Sequence, residues 1–267
     1  MSGQRTSAES DAAPGCSLRE TRQSHSHHYP AVASGVAHPS TNTTTTTTTA
    51  SLDHCCLAVF TWGRGEDGQL GLGDASDQEE PTYVDALRGV GVAQIACGSG
   101  HTVVLTTQGD VYTWGRGDDG RLGHGENMWK YVPRLTLALR GRNMVQVTCG
   151  SYHTAAVTST GDLYTWGGGM YGKLGHGNEA GCSAPQRVDA LVGLPVAQIA
   201  CGSRHTAVVT ATGGAVYTWG DKENGVAGHG DTEGHQYAPR RLERLASTPV
   251  TQLSAFGFYT AVGTESG

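Results

Sequence analysis

Apolar and polar residues group into short runs along most of this chain, and the runs recur. Val92 to Ala96 and His101 to Leu105 are β-branched-rich segments joined through Gly98-Ser99-Gly100. A polar turn, Thr106 to Asp110, leads into Val111 to Trp114, and a glycine-rich loop then reaches an extended piece near Val132-Pro133. Runs this short, bounded by turn residues, predict four strands and no long helix.

The pattern repeats with a fixed period. Phe60-Thr61-Trp62-Gly63, Tyr112-Thr113-Trp114-Gly115, Tyr164-Thr165-Trp166-Gly167 and Tyr217-Thr218-Trp219-Gly220 place their tryptophans 52, 52 and 53 residues apart. A second series holds Cys97-Gly98-Ser99-Gly100-His101-Thr102, Cys149-Gly150-Ser151-Tyr152-His153-Thr154 and Cys201-Gly202-Ser203-Arg204-His205-Thr206. A degraded copy, Phe256-Gly257-Phe258-Tyr259-Thr260, has lost the histidine. Four short strands in such a period make one propeller blade.

With the Val92 strand first, three units are complete. The chain enters mid-blade, with strands at Val59 to Gly63 and Pro81 to Val84, and leaves mid-blade, with strands at Val250 to Leu253 and Thr260 to Val262. The expected fold is therefore all-β, a propeller-type array of about four blades over residues 53–267, three complete plus two half-blades. The two halves are complementary and would protect each other's edges. A ring of only four blades demands unusual curvature, so an open arc is expected. Self-association or a longer parent protein would complete it.

The run Tyr-Thr-Trp-Gly-x-Gly-x-x-Gly-x-Leu-Gly-His-Gly, followed by Cys-Gly-Ser-x-His-Thr, resembles the regulator of chromosome condensation repeat. The resemblance covers residues 59 to about 263 and implies a β-propeller, usually of seven blades. Members occur in ubiquitin ligases with a HECT domain, and Trp114 to Gly125 is especially similar to those. The founding member exchanges guanine nucleotide on a small nuclear GTPase.

Composition agrees with turn-rich β structure: 40 of the 267 residues are glycine. Glycine costs about 1 kcal/mol against alanine inside a helix. Residues 1–52 differ, being rich in Ser, Thr and His with an unbroken Thr43 to Thr49, and read as a disordered tail. The imidazoles of Ser24-His25-Ser26-His27-His28 have nothing to pre-order them for a metal. No run of 18 apolar residues exists to span a membrane, and the polar start lacks a signal-peptide core. Seven spread cysteines point to an intracellular protein, cytoplasmic or nuclear. The net charge of −6 arises outside the balanced first 50 residues and makes nucleic acid an unlikely partner.

The motifs that look chemical read as structural. Gly63-Arg64-Gly65-Glu66-Asp67-Gly68 and Gly115-Arg116-Gly117-Asp118-Asp119-Gly120 match G-x-G-x-x-G, but no helix can start after them and carboxylates occupy the anion position. His101, His153 and His205 would spread around an arc rather than converge on a metal, so each is expected to bond within its own blade. Cys97, Cys149 and Cys201 read as small buried strand residues, and His124, His176 and His229 as turn residues. Trp62, Trp114, Trp166 and Trp219 read as packing residues. Light-sensing relatives carry Gly-Trp-Arg-His-Thr, and here Ser99, Ser151 and Ser203 fill that tryptophan slot. No cofactor, metal or catalytic residue is expected.

Function should lie where one copy departs from its siblings. The slot after Trp-Gly holds Arg64, Arg116, Gly168 and Asp221, and beyond it come Glu66-Asp67, Asp118-Asp119, Met170-Tyr171 and Glu223-Asn224. The loop Asn127-Met128-Trp129-Lys130-Tyr131 carries the one non-periodic tryptophan. Aromatics and arginine are enriched at interface hot spots. Arg116, Trp129, Lys130, Tyr131, Met170 and Tyr171 are thus the expected partner contacts. The expected function is a non-enzymatic protein-interaction module, a scaffold or substrate adaptor tied to ubiquitin ligation, with no HECT segment in the chain. Nucleotide exchange is the alternative, although the tryptophan spacings leave no room for an inserted wedge. Chromatin binding is a third, disfavoured by the negative charge.

Overall fold

In the computed structural model, residues 57–265 are described; the expected tail and its histidines lie outside them. Strands β1 (Phe60–Gly63) and β2 (Gln78–Tyr83) form a leading half-blade. Blade one is β3 (Val92–Cys97), β4 (His101–Thr106), β5 (Val111–Gly115) and β6 (Lys130–Leu135). Blade two is β7 (Met144–Cys149), β8 (His153–Thr158), β9 (Leu163–Gly167) and β10 (Cys182–Arg187). Blade three is β11 (Val196–Cys201), β12 (His205–Thr210), β13 (Val216–Asp221) and β14 (His235–Arg241). The trailing half-blade pairs β15 (Val250–Phe256) with β16 (Tyr259–Thr264). All neighbours are antiparallel, and the two half-blades belong to separate sheets.

Each strand's place follows from its residues. The second strands, HTVVLT, HTAAVT and HTAVVT, are buried at every position because both faces of the sheet are covered by other blades. Such strands read as continuous apolar runs rather than alternating ones. Pro81, Pro133, Pro185 and Pro239 all fall on the outermost strand, where a missing N–H breaks no ladder.

The core lies between sheets, not within one. Val103, Leu105 and Val111 of blade one pack with Met144, Val147, Ala156 and Trp166 of blade two. Val157 and Leu163 of blade two pack in turn with Val196, Ile199, Val208 and Trp219 of blade three. A blade alone would expose most of this surface, so repeats stabilise one another by stacking.

The leading half-blade differs from the three that follow it. Trp114, Trp166 and Trp219 are fully buried, but Trp62 is 60% exposed, contrary to its expected packing role. Each buried indole lies on a glycine of the preceding loop: a Cβ at Gly71, Gly123 or Gly175 would come within 2.7 Å of the next blade's indole nitrogen. No such loop precedes Trp62 among the described residues. The cysteines follow the same gradient, with Cys97 exposed, Cys149 half-buried and Cys201 buried, so uniform burial does not hold.

Candidate functional site

The repeated histidines build the joints between blades. His101 Nε2 lies 2.9 Å from Thr154 Oγ1, His153 Nε2 2.9 Å from Thr206 Oγ1, and His205 Nε2 2.8 Å from Thr260 Oγ1. Every bond crosses to the following blade, which corrects the expectation of a bond within one blade. Each threonine hydroxyl then donates back, Thr154 to the Arg121 carbonyl at 2.7 Å and Thr206 to that of Lys173 at 2.8 Å. Because the hydroxyl proton goes to the carbonyl, Nε2 must carry the imidazole proton.

That leaves Nδ1 bare, buried and unpartnered in all three rings. The ring presses on its Cys-Gly glycine; a Cβ at Gly98 would lie 2.5 Å from His101 Cε1. Burial drives the His101 pKa down to about 3 and that of His205 to about 4, and lowers His153 well below the ordinary value. The neighbouring Arg121 charge adds to the effect on His101, and Lys173 to that on His153. His124, His176 and His229 each reach the threonine of their own Thr-Trp-Gly run, at 3.0, 3.1 and 2.9 Å.

Chemical variety gathers instead in the loops after the third strands. In blade one the loop is closed on itself. Arg116 Nε binds Asp118 Oδ2 at 2.5 Å, Trp129 Nε1 donates to Asp118 Oδ1 at 3.0 Å, and the Arg116 guanidinium lies 5.7 Å from the indole centroid. The Trp129 bond, followed by that of Arg116, holds the Asp118 carboxyl below its usual range. Lys130 and Arg134 share Glu126, each at 2.8 Å, and the Tyr131 ring fills the space beside Gly68. Arg116, Trp129 and Lys130 therefore have partners inside the chain.

Blade two has the same backbone with different contents. Its Met170–Gly172 turn puts Tyr171 at φ 67°, where blades one and three hold Asp119 at 59° and Asn224 at 57°. Short polar side chains tolerate this left-handed conformation, whereas a bulky ring there is an outlier of the kind found at functional sites. Met170 is 63% exposed. Behind the turn a cavity of about 540 Å³ opens, lined by Asp119 and Asn127 of blade one, Tyr152 and Lys173 of blade two, and Arg204 of blade three. Met170 and Tyr171 belong to its wall.

The structure thus separates the expected contacts: Met170 and Tyr171 line the cavity, whereas Arg116, Trp129, Lys130 and Tyr131 lie in the closed loop region outside its lining. Sequence reasoning overlooked Arg121, Lys173 and Arg204. The first two were visible by the same comparison of copies, since one slot holds Gln69, Arg121, Lys173 and Val226. Among the described residues, no three His, Cys, Asp or Glu side chains form a group that could hold a metal ion. No described helix is long and apolar enough to cross a membrane.

Comparison with known proteins agrees with this architecture. Human E3 ubiquitin-protein ligase HERC2 is 38% identical over 220 residues, covering 79% of this chain and 4% of that protein. Ultraviolet-B receptor UVR8 of Arabidopsis thaliana is 41% identical over 211 residues, covering 79% of this chain and 48% of the receptor. The structure of human WBSCR16 superposes with a TM-score of 0.69 at 27% identity, over 77% of this chain and 52% of that one. Prp20p of Saccharomyces cerevisiae gives 0.67 at 22% identity, over 78% and 51%, a likeness of fold alone. The chain spans about half of these proteins, and far less of HERC2. The family model for the RCC1-like domain matches residues 58–267, and the chain belongs to that family.

Proposed function

We propose that this chain is a non-enzymatic protein-interaction module, a scaffold or substrate adaptor that receives partners at the loop cavity spanning blades one to three. The observation that carries this reading is the placement of Met170 and Tyr171. Two positions that break the repeat line the cavity, where three blades meet. Residues serving the propeller itself recur in all three complete blades, as the tryptophans and histidines do; residues serving a partner need not.

A link to ubiquitin ligation draws support from HERC2, whose name marks it as a ligase and which shares this domain. Nucleotide exchange has less behind it. The likeness to Prp20p concerns fold alone, and the tryptophan spacings of 52, 52 and 53 leave no room for an added segment.

Affinity capture with quantitative mass spectrometry tests the reading. The wild-type chain is compared with Met170→Ala/Tyr171→Gly and with Leu137→Ala, an exposed position outside the cavity. Partners held by the wild type and by Leu137→Ala should fall at least fivefold with the double variant. Equal recovery on all three baits would remove the cavity face from the account.

A further inference from the structure

Blade two has kept the buried cation of its repeat and lost the carboxylate that answers it. In blade one, Arg121 is only 2% exposed and fully engaged. Nη2 meets Asp119 Oδ2 at 3.0 Å, Nε donates to the Asp118 carbonyl at 2.9 Å, and Nη1 to the Ser151 carbonyl at 2.9 Å. Lys173 occupies the same slot and is equally buried, at 2%. Its ammonium donates to the Met170 carbonyl at 3.1 Å and makes no ion pair among the described residues. Tyr171 stands where blade one has Asp119.

The surroundings leave one direction open. The Tyr152 and Tyr171 rings flank the ammonium, with centroids 5.8 and 5.9 Å away. Asp119 of the adjoining loop and, less strongly, Glu179 raise the ammonium's proton affinity, but neither pairs with it, and the Asp119 Oδ2 is held by Arg121. Arg204 is committed to Asp221 at 3.5 Å and Glu223 at 3.7 Å. Above the ammonium, Gly168 replaces the arginine of the preceding copies, and a Cβ there would lie 3.5 Å from Nζ. The Asp119 side chain comes as near, at 3.3 Å from its Cβ, and Gly168, Asp119 and Lys173 all line the cavity.

We propose that this cavity receives an aspartate or glutamate side chain of a protein partner, its carboxylate taking beside Lys173 the place that Asp119 holds beside Arg121. The proposal rests on the interaction-module reading and names the group recognised. A single negative charge matches a single unanswered ammonium. A phosphate dianion fits less well, because Asp119 and Glu179 also line the cavity and would repel its two charges more than the one of a carboxylate. Met170, exposed at the rim, offers apolar contact to the residues flanking the acid. An unpaired buried ammonium is costly in the free protein, and burial lowers its pKa to about 8, so a carboxylate ligand is the partner that relieves it.

A displayed library of linear heptapeptides, panned against the chain, tests this. Selected peptides should share an Asp or Glu at one fixed position. The best synthetic peptide should lose at least tenfold in affinity when that acid becomes the amide. It should lose as much against Lys173→Met, while Leu137→Ala, exposed and outside the cavity, should bind it as tightly as wild type. Selected peptides without a fixed acid, or an acidic peptide that binds Lys173→Met as tightly as wild type, overturn the carboxylate proposal and leave the interaction face standing. Failure to select any peptide overturns it too, and partner capture by the Met170/Tyr171 comparison then decides the broader reading separately.

Discussion

The loops of blades one and two follow one backbone path and solve opposite problems. In blade one, Arg116, Asp118, Asp119, Arg121 and Trp129 satisfy one another, so the loop is a finished piece of structure. In blade two, Gly168, Tyr171 and Lys173 replace Arg116, Asp119 and Arg121, and the result is a cavity with a buried charge at its floor. With Met170 in place of Asp118, four side chains change the contents of the loop while each blade keeps its four strands.

The largest expected effect comes from breaking what both loops hang on. His101 and His205 have folded pKa values of about 3 and 4, and burial lowers His153 well below the ordinary value. The unfolded chain binds protons on these rings near pH 6.5, so stability is intact above that pH and declines as pH falls toward 4 and below. By pH 5 the loss is about 2 kcal/mol per ring. Urea midpoints at pH 7 and pH 5 measure it, and an unchanged midpoint would contradict neutral, buried imidazoles.

A smaller effect sharpens the contrast between the loops. Asp119→Asn keeps a residue that tolerates φ 59° but removes the charge opposite Arg121. Because the Asp119 side chain is half exposed, the expected cost is about 1–2 kcal/mol rather than that of a fully buried pair. Thermal denaturation reads it directly. The inverse holds in blade two: Lys173→Met removes an unanswered charge and should leave stability unchanged or raise it by up to ~1 kcal/mol. The lysine's folded pKa is lowered to about 8, so the wild type gains stability as pH rises from 8 toward 10.5, and the variant's advantage shrinks over that window. A variant markedly less stable than wild type at pH 7 would show that Lys173 serves the fold.

The architecture was legible because propeller signals are local and repeated. Trp-Gly and Cys-Gly pairs mark tight corners and close approaches, and these depend on residues a few positions apart. The loop contrast was half legible: Gly168 and Met170-Tyr171 stand out against their siblings. The state of Lys173 was not, because it depends on the turn that brings the residue two positions earlier beside its side chain. The reach of the histidines was hidden for another reason. A threonine one residue along and another 53 residues along carry the same motif, and only the stacking of sheets selects the distant one.

That selection has a consequence for the array as a whole. The imidazoles of His101, His153 and His205 reach forward to the next blade, and Thr154 and Thr206 reach back to a carbonyl of the blade before. The coupling is therefore nearest-neighbour and has a sense of direction. At the leading end, Thr102 clasps the Gln69 carbonyl; at the trailing end, Thr260 answers His205, and Tyr259 stands where a further histidine would reach on. The described blades thus follow one another in a directed series, with a different residue at the histidine position of its last member.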